Sequence, residues 1–185
     1  MFMLLPVVAA TGASAANQQL SQMTALYEQV CLKAFPDDKA VQAVMMERNA
    51  RPLTSDEVKI TMGNDPARGW ELAQYDGASV WLEFPPFHAC SVRWHTPQIG
   101  DLHAYGSVAE KYESAKGGFH PIEAYDADQG DIHVHAVGEQ RILPDRSSES
   151  LFIFDQHITD PKRRAAGEAG YVLRFVHQFA PPGAQ

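Results

Sequence analysis

The chain reads as an α+β domain in which N-terminal helices pack on one face of an antiparallel sheet of about five to six strands. Two observations predict this class. Apolar residues recur at spacings of three, four and seven in the first third of the chain and at spacings of two from Trp70 onward. No Ser- or Gly-rich linker separates the two regimes, so helices and strands belong to one body. The only two cysteines, Cys31 and Cys90, fall one in each regime.

The 185 residues divide into a leader and a domain. Met1 to Ala16 is apolar and uncharged and ends in Ala13-Ser14-Ala15-Ala16, the small-residue pattern that precedes a signal-peptidase cut. No Lys or Arg precedes its apolar core, a departure from the usual export signal. Residues 1–16 are therefore expected to be a cleaved signal peptide and 17–185 a single domain, periplasmic or secreted. The apolar run is shorter than the roughly 20 residues that cross a bilayer, and it contains Pro6 and Gly12, so no membrane span is expected after cleavage. In an oxidising compartment a lone pair of thiols is expected as a disulfide, Cys31–Cys90. Closing a loop of about 60 residues contributes roughly 4 kcal/mol in the chain-entropy account. The net charge of −8 argues against nucleic acid and anionic lipid as partners. The one basic cluster, Lys162-Arg163-Arg164, is too short to reverse that.

The first helix is expected from Asn17 to Ala34, with Leu20, Met23, Tyr27, Val30, Cys31 and Ala34 on one apolar stripe. Phe35-Pro36-Asp37 breaks it, and Asp37 or Asp38 can cap a second helix that buries Ala40, Val41, Val44 and Met45. Thr54-Ser55-Asp56-Glu57 is a capping box, flanked by a Leu53–Val58 staple, and Gly63 closes that third helix. Trp70–Gln74 and Ser79–Phe84 read as paired strands, and Pro85-Pro86 must interrupt the ladder. In the strand from His88 to His95, Cys90, Val92 and Trp94 are predicted core while Arg93 faces away. Asp101 caps a helix from Leu102 to Lys116 that Gly117-Gly118 ends. Strands follow at Phe119–Tyr125, Asp131–Ile142, Ser150–Ile158 and Tyr171–Phe179, with Asp160–Gly170 a loop or one helical turn.

Four constellations could carry chemistry. Asp131, His133 and His135 alternate along a strand, so they share a face and could ligate one divalent metal, with His157, His177 or Asp155 as a further ligand. Since Ile132, Val134 and Ala136 make an apolar opposite face, the same histidines also fit the solvated side of a half-covered sheet. Glu83, Asp126, Asp128 and Asp155 could supply an acid–base pair for hydrolysis. His88 near Cys90 could activate a nucleophilic thiol, which competes with the disulfide. Fourth, an exposed sheet face bearing His133, His135, Arg93, His95 and Arg174 could bind a ligand or a partner edge. No Gly-x-Ser-x-Gly, HExxH or phosphate-binding glycine loop is present.

Pro52-Leu53-Thr54-Ser55-Asp56-Glu57-Val58, the Asp65-Pro66-Ala67-Arg68-Gly69-Trp70 run that follows, and Glu83-Phe84-Pro85-Pro86-Phe87-His88-Ala89-Cys90-Ser91-Val92 resemble a group of small exported proteobacterial proteins of unknown function. The resemblance implies a periplasmic address and no activity. The expectation is a non-catalytic binding or accessory protein of the cell envelope, its partner a small molecule or an envelope protein. The alternative is a hydrolase or metal-dependent enzyme that uses the histidine-bearing face.

Overall fold

Among the described residues all strand pairings are antiparallel, and two meanders meet at the centre of one nine-stranded sheet. The computed structural model describes residues 11–75 and 77–183. In chain order they form helix α1 (Thr11–Tyr27) with a π-helical continuation (Glu28–Ala34), α2 (Asp38–Glu47), strand β1 (Arg51–Pro52), α3 (Ser55–Met62), β2 (Ala67–Glu71), β3 (Ser79–Glu83) and β4 (His88–Thr96). Then come α4 (His103–Lys116), β5 (His120–Pro121), β6 (Tyr125–Gln129), β7 (Ile132–Ile142), β8 (Ser148–Ile158), α5 (Pro161–Ala165) and β9 (Tyr171–Ala180). The order across the sheet is β1-β2-β3-β4-β9-β8-β7-β5, and β6 also pairs with β7. The α+β class holds. The strand number exceeds the expected five to six because β1 and β5 are two-residue edge strands, each ending in proline, and because the stretch from Phe119 splits into β5 and β6.

The first ten positions of the expected signal peptide lie outside the described residues. Helix α1 begins at Thr11 and runs unbroken past Ala16. Asn17 Oδ1 accepts the Asp101 amide at 2.9 Å, and Gln19 Nε2 donates to the His95 carbonyl at 3.1 Å. These bonds fix the helix to the approach to α4 and to β4.

The local signals act where the residues allow them to. Asp37 caps α2 through the amides of Lys39 and Ala40. Thr54 and Glu57 close the capping box on α3 reciprocally. The proline pair separates β3 from β4, as a ladder without donors requires. Strand alternation then sorts the two faces. Val80, Leu82, Cys90, Val92, Trp94, Leu173 and Phe175 are buried on the inner face under α1, α2 and α4. Tyr27, Tyr105, Phe175 and Trp94 form an aromatic cluster there, with ring centroids 4.2–5.7 Å apart. Helix α3 departs from the expected layering and packs across the outer face. There Met62 Sδ accepts from Arg93. Leu53 also fills the space beside Gly69, where a Cβ would lie 2.6 Å from Leu53 Cδ1.

The joint between layers is covalent. Cys31 and Cys90 form a disulfide, Cα–Cα 5.3 Å, linking the π-helical turn to β4, with both residues fully buried. That burial removes Cys90 from consideration as a nucleophile, and His88 instead hydrogen-bonds Asp38 at 2.8 Å. Replacing Cys31 by serine is expected to destabilise the fold by roughly 2–5 kcal/mol, read as a lowered melting temperature. An unchanged melting point would contradict the role of this joint.

Candidate functional site

The strand register lays the inner face of β7, β8 and β9 out as rows. Arg141 lies opposite Glu149, then Glu139 opposite Leu151 and His177, Val137 opposite Ile153 and Phe175, His135 opposite Asp155 and Leu173, and His133 opposite His157 and Tyr171. Three zones follow: an ionic end, an apolar middle and a histidine end.

At the ionic end Glu149 and His177 are 1% and 0% exposed. Glu149 Oε1 accepts from Tyr112 Oη at 2.6 Å and from His177 Nε2 at 2.8 Å, while Oε2 accepts from Arg141 Nε at 2.6 Å. The other ring nitrogen, His177 Nδ1, donates to the Cys31 carbonyl at 2.6 Å. The local sequence explains why that carbonyl is available. In a π-turn its partner would be the amide of Pro36, which has none, and the Phe35 amide is already given to Val30 O at 3.0 Å. Burial alone would push the Glu149 carboxyl up, but the hydrogen bonds from His177, Tyr112 and Arg141 override it and hold the group at about 2. Burial and the Glu149 carboxylate raise the Tyr112 hydroxyl well above its ordinary value. This network ties β7, β8 and β9 to α4 and to the disulfide turn. The sequence carried a trace of it: Arg141 and Glu149 stand at equal distances from Asp145 at the tip of the β7–β8 hairpin.

The apolar middle is a cleft of about 490 Å³ between α4 and the sheet. Leu102, Tyr105 and Ala109 line it from the helix, and Val137, Leu151 and Ile153 from the strands. Val137 is 37% exposed, a large aliphatic side chain left open on this face. Gly106 of α4 also lines the cleft, and a Cβ there would meet nothing within 4 Å. A wider depression, about 650 Å³, lies beside α3, walled by Lys59 of that helix and by the turn residues Asn64 and Asp65. The buried ionic groups described above do not line it.

The histidine end corrects the metal expectation. His133 and His135 do share a face, with Asp126 and Asp128 of β6 and Asp155 of β8 beside them. Both imidazoles are paired with carboxylates. His133 contacts Asp128 at 2.9 Å through Nδ1 and Asp126 at 3.3 Å through Nε2, and His135 Nδ1 donates to Asp155 at 2.9 Å. Asp131 precedes β7 and pairs with Arg163 of α5. Among the described residues no three His, Cys, Asp or Glu side chains could hold a metal ion, so a divalent metal bound by His133, His135 and Asp131 is ruled out. Of the further candidates, His157 packs its ring on His133 at 5.0 Å and His177 belongs to the ionic end. The Asp128 hydrogen bond raises the pKa of His133 above that of a free imidazole, with burial opposing and Asp126 adding to it.

The proposed five-residue binding face also divides. Arg93, His95 and Arg174 lie on the outer face, opposite to His133 and His135. Arg93 and Arg174 share Glu83, at 3.4 and 3.9 Å, and stack over Trp81 and Phe154. Burial and the Arg174 charge push Arg93 down to about 9, with Glu83 opposing. Glu83 is thereby committed to the outer face, away from the inner-face carboxylates Asp126, Asp128 and Asp155.

Acid should open the ionic end. The Glu149 carboxyl is held at about 2 in the fold against an ordinary 4.5, so its contribution is complete above the ordinary value and is lost as pH falls from 4.5 toward 2. Glu149→Gln is expected to destabilise by roughly 1–3 kcal/mol, because it removes the buried carboxylate on which Tyr112, Arg141 and His177 converge. It should also flatten the acid limb of the stability–pH curve in denaturant titrations. A variant whose curve overlays the parent's would show the network to be inert.

Comparison with protein-family models and with curated proteins gives no match. Among solved structures, that of human STARD10 aligns at 12% identity over 81% of this chain and 70% of the other, with a TM-score of 0.22.

Proposed function

We propose that this protein is an exported accessory module of the cell envelope that binds a small apolar molecule, without transforming it, in the cleft under α4. The observation that carries the reading is the cleft itself. Its volume lies in the range of small-molecule sites, its walls are largely aliphatic and aromatic, and it stands open beside an otherwise filled core. The helix that roofs it is anchored by Tyr112 to Glu149 at one end. At the other end Asn17 holds the Asp101 amide. The cleft can therefore be preformed rather than assembled on binding.

The neutral apolar dye N-phenylnaphthylamine should brighten on titration with the protein and saturate at one site. Gly106→Leu places an isobutyl group in the open space of the cleft and replaces a helix-interior glycine, so it should fold at least as well as the parent. It is expected to abolish the dye signal. Equal brightening by the parent and by a folded Gly106→Leu variant would refute the cleft as the binding site.

The export part of the reading is supported by the small-residue end of residues 1–16 and by the buried Cys31–Cys90 bond, which suits an oxidising compartment. Fractionation of expressing cells should recover a chain whose intact mass lacks residues 1–16 from outside the cytoplasm. A full-length chain confined to the cytoplasmic fraction would overturn it.

A further inference from the structure

We infer that the cleft under α4 selects an organic cation, an amine or quaternary ammonium group carried on a hydrocarbon or aryl body. This rests on the cleft reading above and adds the charge of the ligand to it.

The walls and the rim differ in kind. Along the cleft walls, Tyr105, Val137, Leu151 and Ile153 present apolar surface. At the rim stand three carboxylates, Glu110 and Glu113 from α4 and Glu139 from β7, and among the described residues no Lys, Arg or His lines the cleft. Among the described residues none of the three has an ion-pair partner. The cations near these carboxylates in the chain act elsewhere: Lys111, beside Glu110, lowers the Glu28 carboxyl, Arg141 holds Glu149, and Lys116 lies over the Tyr112 ring at 5.5 Å. Three like charges around an apolar mouth repel one another and suffer from partial removal from water. Glu113 registers this strain, since burial first and then Glu139 and Glu110 raise its pKa. A positive group seated at the rim relieves that repulsion while its apolar body fills the space below, whereas an anion would add to it. The described residues gather no metal-holding set of donors, so the complement is a cation with an organic body. The protein's charge of −8 draws such a ligand in from solution.

Calorimetric titration of the intact protein with three probes of equal chain length separates charge from burial: n-octylammonium, octanol and octanoate, near neutral pH and at low salt. The ammonium is expected to bind about tenfold or more tightly than octanol, and octanoate most weakly. Glu113→Gln combined with Glu139→Gln should erase the ammonium's advantage over octanol. Both side chains are partly exposed and unpaired, so the double variant should retain the parent's melting temperature. Added salt should weaken the ammonium selectively. If octanol binds as tightly as the ammonium, or octanoate more tightly, the cation inference is wrong and the apolar cleft survives. If none of the three binds, the cleft reading itself falls, and the inference with it.

Discussion

The architecture depends on how one turn of helix meets the sheet. At Cys31 the π-helical turn is joined to β4 by a disulfide and to β9 by the bond from its carbonyl to His177. The bond continues beyond that histidine. His177 holds Glu149, Glu149 holds Arg141 and Tyr112, and Tyr112 belongs to α4. One covalent link and a short run of charge-assisted hydrogen bonds thus connect the first helix, the sheet centre and the helix that roofs the cleft. A proline at position 36 makes this possible, because it leaves the Cys31 carbonyl without a helical donor.

The inner face is consequently graded. Where α4 is pinned, the face is ionic, dry and committed to structure. Where the helix passes over Val137, Leu151 and Ile153, the face is apolar and partly open. Beyond the helix the strands present His133, His135 and Asp155 with their aspartate neighbours, each imidazole already paired with a carboxylate. A metal would have to displace those pairs, and Asp131, turned toward Arg163, is not available to complete a set. The gradient leaves the middle zone as the place where a ligand can gain from burial without breaking a bond the fold uses.

Much of the scaffold was legible in the residues. The Thr54–Glu57 box, the proline break before β4, the alternation that buries Cys90, Val92 and Trp94, and the pairing of the two cysteines each follow from a local rule that acts over a few positions. The shared face of His133 and His135 was legible too. What surrounds those histidines was not, since Asp126, Asp128 and Asp155 arrive from neighbouring strands whose register is set by the whole sheet. The placement of Arg93 and Arg174 away from them has the same cause. The cleft was illegible for a further reason. It exists because a glycine in α4 and a small residue, Ala109, face strands of larger side chains, a coincidence of elements far apart in sequence. The ionic end gathers residues from α4, β7, β8 and β9, and only the Arg141–Glu149 pair left a symmetric mark around the hairpin tip.

The two terminal strands have a consequence for how the molecule meets others. Each is a dipeptide closed by an imino acid, Pro52 on one flank and Pro121 on the other, so neither flank offers a run of amides for an incoming chain. The third rim, β6, is five residues long and alternates Asp126 and Asp128 with its remaining positions, and that charge discourages a neighbour from annealing there. A broad sheet that would otherwise invite polymerisation is thereby kept solitary at its margins, and recognition is directed onto its surfaces.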